Sequence, residues 1–225
     1  MGFIEKGGAN RNLGHFPVRQ RFSAGHQGGE QMHITLIRKY KRLSECTYRC
    51  LEYPSYTGFA KRAILGKSSI VLYHNEQENL NMSQKNLSDI IKYFPLRFLG
   101  LNCAPYHIYE YKEGEIGYSK QSLFVPEYAF YIAQNIYVLR GHSKKKHSLT
   151  KDGKQIALFT VVDEGNTRID FAEQDGALIS FLILFAIFID IQYYAYRGAT
   201  TYTYVHKDKW KKLSEWTPDE SIRRI

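Results

Sequence analysis

Asp175-Gly176-Ala177-Leu178-Ile179-Ser180-Phe181-Leu182-Ile183-Leu184-Phe185-Ala186-Ile187-Phe188-Ile189-Asp190 is the stretch that decides the fold. Apolar side chains run from Ala177 to Ile189, broken only by Ser180, and stop at Asp190. A membrane-spanning helix needs ~20 mostly apolar residues, whereas a run of roughly 10–14 marks a buried core helix. Continuing through Ile191-Gln192-Tyr193-Tyr194-Ala195-Tyr196 reaches bilayer length only with Asp190 and Gln192 inside the span. A central Asp costs ~3 kcal/mol even on a lenient insertion scale. The segment 177–196 is therefore expected to be a helix buried in protein; its insertion into a bilayer is the alternative. A helix apolar on every face must be covered on every face. Two packed layers do this poorly and a closed sheet does it well. The expected fold is mainly β, an antiparallel closed barrel around a central hydrophobic C-terminal helix.

The rest of the chain supplies the strands. Its 18 Tyr and 13 Phe favour sheet packing. His33–Ile37 reads as a strand, and so does Ser69–Tyr73, followed by the polar turn His74-Asn75-Glu76-Gln77-Glu78-Asn79. The clearest hairpin is Tyr106–Tyr111, turning through Lys112-Glu113-Gly114-Glu115 into Ile116-Gly117-Tyr118, with Gly114 suited to a positive φ. Tyr128–Ile132 and Ile136–Leu139 are further strands. Asp152-Gly153 turns His147–Thr150 back into Gln155–Phe159, and Gly165-Asn166 turns the chain again before Arg168–Phe171. One interruption is helical, Ser88 to Phe94, with Ser88 as N-cap and Pro95 as the stop.

Three elements in order carry a family resemblance: Tyr106-His107-Ile108-Tyr109 through Ile116-Gly117, then Asp152-Gly153-Lys154-Gln155-Ile156-Ala157, then the apolar run from Asp175 to Asp190. Over roughly 69–197 the chain resembles the superfamily of tubby C-terminal, LURP-one-related and phospholipid scramblase domains, in its bacterial type. That resemblance implies a twelve-stranded antiparallel barrel threaded by one hydrophobic helix, and a non-catalytic binding role. Residues 33–68 match poorly, and the phosphoinositide-binding motif of eukaryotic tubby proteins has no counterpart here. Anionic lipid or a protein partner is the binding expectation, with nucleic acid as a weaker rival.

Residues 1–31 are Gly-rich, basic and without strand or helix period, so they read as a disordered or non-native extension, with Met32 the expected native start. The barrel domain is expected over 32–200, followed by a basic, Trp-containing tail over 201–225. The first residues lack the apolar core of a signal peptide. With three cysteines, Cys46, Cys50 and Cys103, this points to free buried thiols in a cytoplasmic protein, peripheral at most to a membrane.

A net charge of +9 predicts attraction to polyanions. The densest basic cluster, Arg140, His142, Lys144, Lys145 and Lys146, is the candidate anion or lipid contact. The same residues also read as a solvated strand edge where lysine blocks sheet aggregation. Lys39, Lys41, Arg42, Lys61 and Arg62 would extend the patch if the fold brings them near. No phosphate-binding loop, nucleophile elbow or zinc-protease motif occurs in the sequence, so no enzyme activity, metal or cofactor is expected.

Overall fold

A computed structural model describes residues 31–42, 44–62, 67–84, 87–92, 104–121, 127–142, 145–163 and 165–194. The expected N-terminal extension up to residue 30, the tail 201–225, Cys103 and Lys144 lie outside these residues.

Alternation of apolar and polar side chains generates the strands. In β8 (Glu127–Ile132), Tyr128, Phe130 and Ile132 are buried while the residues between them are half-buried; β4 (Ser69–His74) buries Ile70 and Leu72 in the same rhythm. The remaining strands are β1 (Gln31–Arg42), β2 (Glu45–Cys50), β3 (Tyr56–Lys61), β5 (Gln77–Ser83), β6 (His107–Glu110), β7 (Gly114–Gln121), β9 (Asn135–His142), β10 (Lys146–Lys151), β11 (Lys154–Asp163) and β12 (Asn166–Ala172). Each pairs antiparallel with its neighbours in sequence, and β1 closes the circle on β12 with Gln31 opposite Ala172 and Ile37 opposite Asn166. Closure leaves no unpaired edge.

A short helix α1 (Leu87–Lys92) interrupts the meander between β5 and β6. Ser88 lies inside it rather than capping it, and Tyr93, Phe94 and Pro95 lie outside the described residues. After β12 a 3-10 segment (Glu173–Leu178) leads into α2 (Ile179–Tyr193), which starts two residues later than the expected 177 because Ala177 and Leu178 belong to the 3-10 segment, and residues 195–196 of the expected range lie outside the described residues. Every residue from Leu182 to Ile191 is buried.

The barrel encloses this helix. Twelve strands spaced ~4.8 Å and tilted ~40° close at a backbone radius of about 12 Å. That leaves room for one helix of ~10–12 Å diameter with its side chains. The filling is lopsided. The helix lies close to β3, where Gly58 faces Ile187 and Ala60 is fully buried. On the β6–β9 side, Tyr106, Tyr128, Phe130 and Tyr137 pack ring against ring on Phe185 and Phe188. Small residues let the helix approach one wall, and aromatic rings span the gap to the other. Each enclosed Leu, Ile or Phe contributes roughly 1.5–3 kcal/mol relative to exposure, and this stabilises a helix too short to persist alone in water. Among the described residues no helix is long and apolar enough to cross a membrane.

The hairpins at 106–118 and 147–159 form as the sequence predicts, with Gly114 at φ 80° and Asp152-Gly153 at φ 48° and 83°. The turn after β4 differs. It is two residues, Asn75 and Glu76, both at positive φ, rather than the six from His74 to Asn79. Gln77–Asn79 belong to β5, and Asn79 donates from Nδ2 to Ser180 Oγ at 2.9 Å, so a polar residue there satisfies the helix. Strands β2 and β3 were not anticipated; Cys46, Tyr48 and Cys50 supply the buried side of β2 where aliphatic residues usually signal a strand.

Candidate functional site

In an up-and-down barrel, alternate connections share an end. Two contacts fix which end is which. Ser180, in the first turn of α2, donates to Tyr56 Oη at the start of β3, whereas Arg62, just beyond β3, donates from Nη1 to the Ile191 carbonyl near the last turn at 3.3 Å.

The end at the start of α2 holds the tight turns 75–76, 111–113, 133–134 and 152–153. It carries Glu76, Glu78, Glu110, Glu113, Asp152 and Asp175, interspersed with Lys112, Lys151 and Lys154. A shallow cleft of about 230 Å³ lies there between two hairpins, lined by His74, Glu78, Asn79, Glu110, Tyr111 and Glu113 among others. The opposite end, at the last turn of α2, carries Lys39, Lys61, Arg62, Lys67, Lys92, Lys120, Lys145 and Lys146. Of the described acids at that end, Glu45 pairs with Lys61 at 3.5 Å and Glu127 with Arg140 at 2.7 Å, while Asp163 accepts from the Asn166 amide at 2.9 Å and keeps its charge. Lys39, Lys67, Lys120 and Lys145 are exposed and have no ion-pair partner among the described residues. Among the described residues cations thus outnumber acids at the end where α2 finishes, the negative end of its dipole.

A buried ion pair lies beneath the cationic rim. The alternation that turns Ile34 and Leu36 into the core also turns Arg38 inward, and Arg38 sits directly opposite Tyr48 of β2. Arg38 Nη1 donates to both carboxylate oxygens of Asp190, at 2.7 and 2.8 Å, and Tyr48 Oη donates to Oδ2 at 2.8 Å. Both charged side chains are 2% exposed. Burial raises the Asp190 carboxyl above its ordinary range, while Arg38 and the Tyr48 hydroxyl pull it back down. Burial, then the Asp190 charge, pushes Tyr48 well above the ordinary phenol value, which keeps it a donor. Asp190 ends the apolar run because it is the point where α2 is pinned to the wall.

The five residues expected to form one anion contact are treated differently by the fold. Arg140, on β9, is half-buried and held by Glu127. His142 is buried with Nε2 2.7 Å from Ser148 Oγ. Lys145 is exposed in the β9–β10 turn at φ 57°, and Lys146 is half-buried at the start of β10. Lys145 alone of the four described presents a fully exposed side chain. Lys39 and Lys61 do reach the same rim, several strands round the barrel. Lys67 and Lys120 join them without having been anticipated. A periodicity argument assigns a lysine to a face, not to an end, so the rim was invisible until the meander closed. The partner of Asp190 was signalled in kind, since an acid closing a buried run demands a cation. Its identity was not signalled, because Arg38 is 152 positions away.

Cys46 and Cys50 are buried thiols outside any disulfide, and burial pushes the Cys50 thiol up to about 12, leaving it a poor nucleophile at neutral pH. Among the described residues no group of three or more His, Cys, Asp or Glu is arranged to hold a metal ion.

Fold and rim together define a class, a closed antiparallel barrel with an enclosed helix and one lysine-rich end. Comparison of the chain with family models, with curated proteins and with solved structures finds no match in any of the three.

Proposed function

We propose that this chain is a non-catalytic, tubby-like binding module whose cationic barrel end docks on an anionic lipid surface. The family reading is supported by the twelve-stranded closed barrel and by the enclosed C-terminal helix, both of which the resemblance implies. The docking reading rests on one observation: four exposed lysines, Lys39, Lys67, Lys120 and Lys145, share one rim on which Glu45 and Glu127 are already paired with Lys61 and Arg140.

A cation within reach of an anionic leaflet contributes about 1 kcal/mol, so the four together supply roughly 4 kcal/mol, enough for salt-sensitive, reversible binding. The contact is peripheral, with α2 standing along the membrane normal and its first turn facing away.

Liposome flotation tests the proposal. Recovery with phosphatidylserine-containing vesicles should exceed recovery with neutral vesicles, fall steeply between 50 and 500 mM salt, and drop at least tenfold in the Lys39→Ala, Lys67→Ala, Lys120→Ala, Lys145→Ala variant. Equal recovery on neutral vesicles, or insensitivity to salt, counts against it. Salt-dependent capture by single- or double-stranded nucleic acid without vesicle binding would transfer the rim to a polyanion of that kind.

A further inference from the structure

His147 is an imidazole enclosed by protein on every side. It sits on the lumen side of β10, opposite Gly141 of β9 and Phe159 of β11, and is 4% exposed. Its ring packs against the last residues of α2, with centroids 5.2 Å from Tyr193 and 5.9 Å from Tyr194. Its Nδ1 has no hydrogen-bond partner. The ring lies over Gly141, where a Cβ would meet two imidazole atoms at an ordinary contact distance of 3.6 Å.

Among the described residues neither ring nitrogen of His147 is hydrogen-bonded, and its ionisable neighbours bring no carboxylate within reach of a second N–H. From β9 the titratable neighbour is His142, engaged with Ser148. From β10 it is Lys146, and the facing residues of β11, Leu158 to Thr160, carry no ionisable group. From α2 they are Tyr193, Tyr194 and, one turn back, Asp190, which Arg38 and Tyr48 already hold. Burial pushes Tyr194 up to about 12 and Tyr193 higher still, so both stay protonated and neutral.

We propose that His147 is an acid-sensitive latch on the end of α2: its protonation releases Ile191–Tyr194 from the barrel mouth while Asp190 stays pinned. Protonation in place would put a charge and an unmet donor into an apolar lumen, so the proton is taken up only when the ring is uncovered. The segment that covers it is four residues long, lies beyond the Arg38–Asp190 anchor, includes two half-buried tyrosines, and is otherwise held by Arg62 on the Ile191 carbonyl and by Gln192 Nε2 donating to Tyr106 Oη. Helix ends of this kind open locally at lower cost than the whole domain.

The direction follows from linkage. In the closed form burial, and then His142, hold His147 down at about 3, against an ordinary 6.5. The open form therefore binds the extra proton between those values. The latch is fully closed above pH ~6.5 and weakens as pH falls, its opening constant rising about 30-fold between pH 7.5 and 5.0. This proposal is independent of membrane docking, and its test uses no lipid.

Amide hydrogen exchange by NMR on the full chain, corrected for intrinsic rates, reads the opening directly. Protection at residues 191–194 should fall about 30-fold from pH 7.5 to 5.0, with β4 and β8 unchanged, and the fall should vanish in His147→Phe. Unchanged protection in the native sequence, an equal loss throughout the barrel, or the same fall in the variant would overturn the latch. Should the variant not fold, imidazole titration of the native chain decides. A His147 that protonates near 6.5 with residues 191–194 still protected sinks the idea.

Discussion

Replacing Asp190 by Asn tests how α2 is held in its barrel. The substitution keeps the shape and removes the charge, leaving the Arg38 guanidinium in a site where its side chain is 2% exposed. At the observed 2.7 Å the gross attraction is about 6 kcal/mol with an effective dielectric constant of ~20. Removing two ions from water costs several kcal/mol for each. The pair thus comes close to break-even, whereas stranding one partner does not. Asp190→Asn and Arg38→Met should each destabilise by ~3–5 kcal/mol, a large part of the ~5–15 kcal/mol available to a domain. The triple change Arg38→Met, Asp190→Leu, Tyr48→Phe removes both charges and the hydroxyl that would be left without its acceptor. It should lie within ~2 kcal/mol of the native sequence. Urea unfolding followed by far-UV circular dichroism gives all the values, and the difference from additivity should exceed 3 kcal/mol, about the size of one single-site effect. Additive costs, or an Asp190→Asn penalty below ~1 kcal/mol, would refute the view that a desolvated pair pins the helix.

Three other changes probe the packing and turns. Gly58→Ala sets a methyl against Ile187 Cδ1 and 3.3 Å from Tyr48 Cβ, so overpacking should cost ~1–3 kcal/mol in the same assay, with part recovered by adding Ile187→Val. Gly117→Ala meets backbone instead, the Tyr131 carbonyl and Ile132 Cα at 3.0 Å, and should cost more, with no side-chain change able to relieve it. Gly114→Ala has open space around it but a φ of 80°, so the loss should be only about 1–2 kcal/mol, from left-handed strain alone. Thermal unfolding should therefore rank the melting temperatures as Gly114→Ala highest and Gly117→Ala lowest.

Much of the fold was legible because its signals are local. The length of the apolar run, its closing Asp190, and turns such as Lys112–Glu115 and Asp152-Gly153 are decided within a few residues. Errors fell where side-chain chemistry runs against type. Gln77–Asn79 looks like turn but is strand, because Asn79 serves Ser180 of the helix. Glu45–Cys50 lacks aliphatic residues yet forms β2, because Cys46, Tyr48 and Cys50 fill the lumen beside α2. Arg140 and His142 looked like surface cations, but the first is held by Glu127 and the second is buried beside Ser148.

The amino-acid order by itself favoured one short helix buried in protein over the same segment in a bilayer, and marked hairpins as the enclosure, since periodicity, length and turn chemistry act over neighbouring residues. Only the closed tertiary structure decided that β1 meets β12, that Arg38 answers Asp190, and that lysines scattered from 39 to 145 gather on one rim. The strand closure and the ion pair each join residues more than a hundred positions apart, and the rim draws on four separate stretches of chain. Their energies come from desolvation and geometry that exist only once the barrel has shut around its helix.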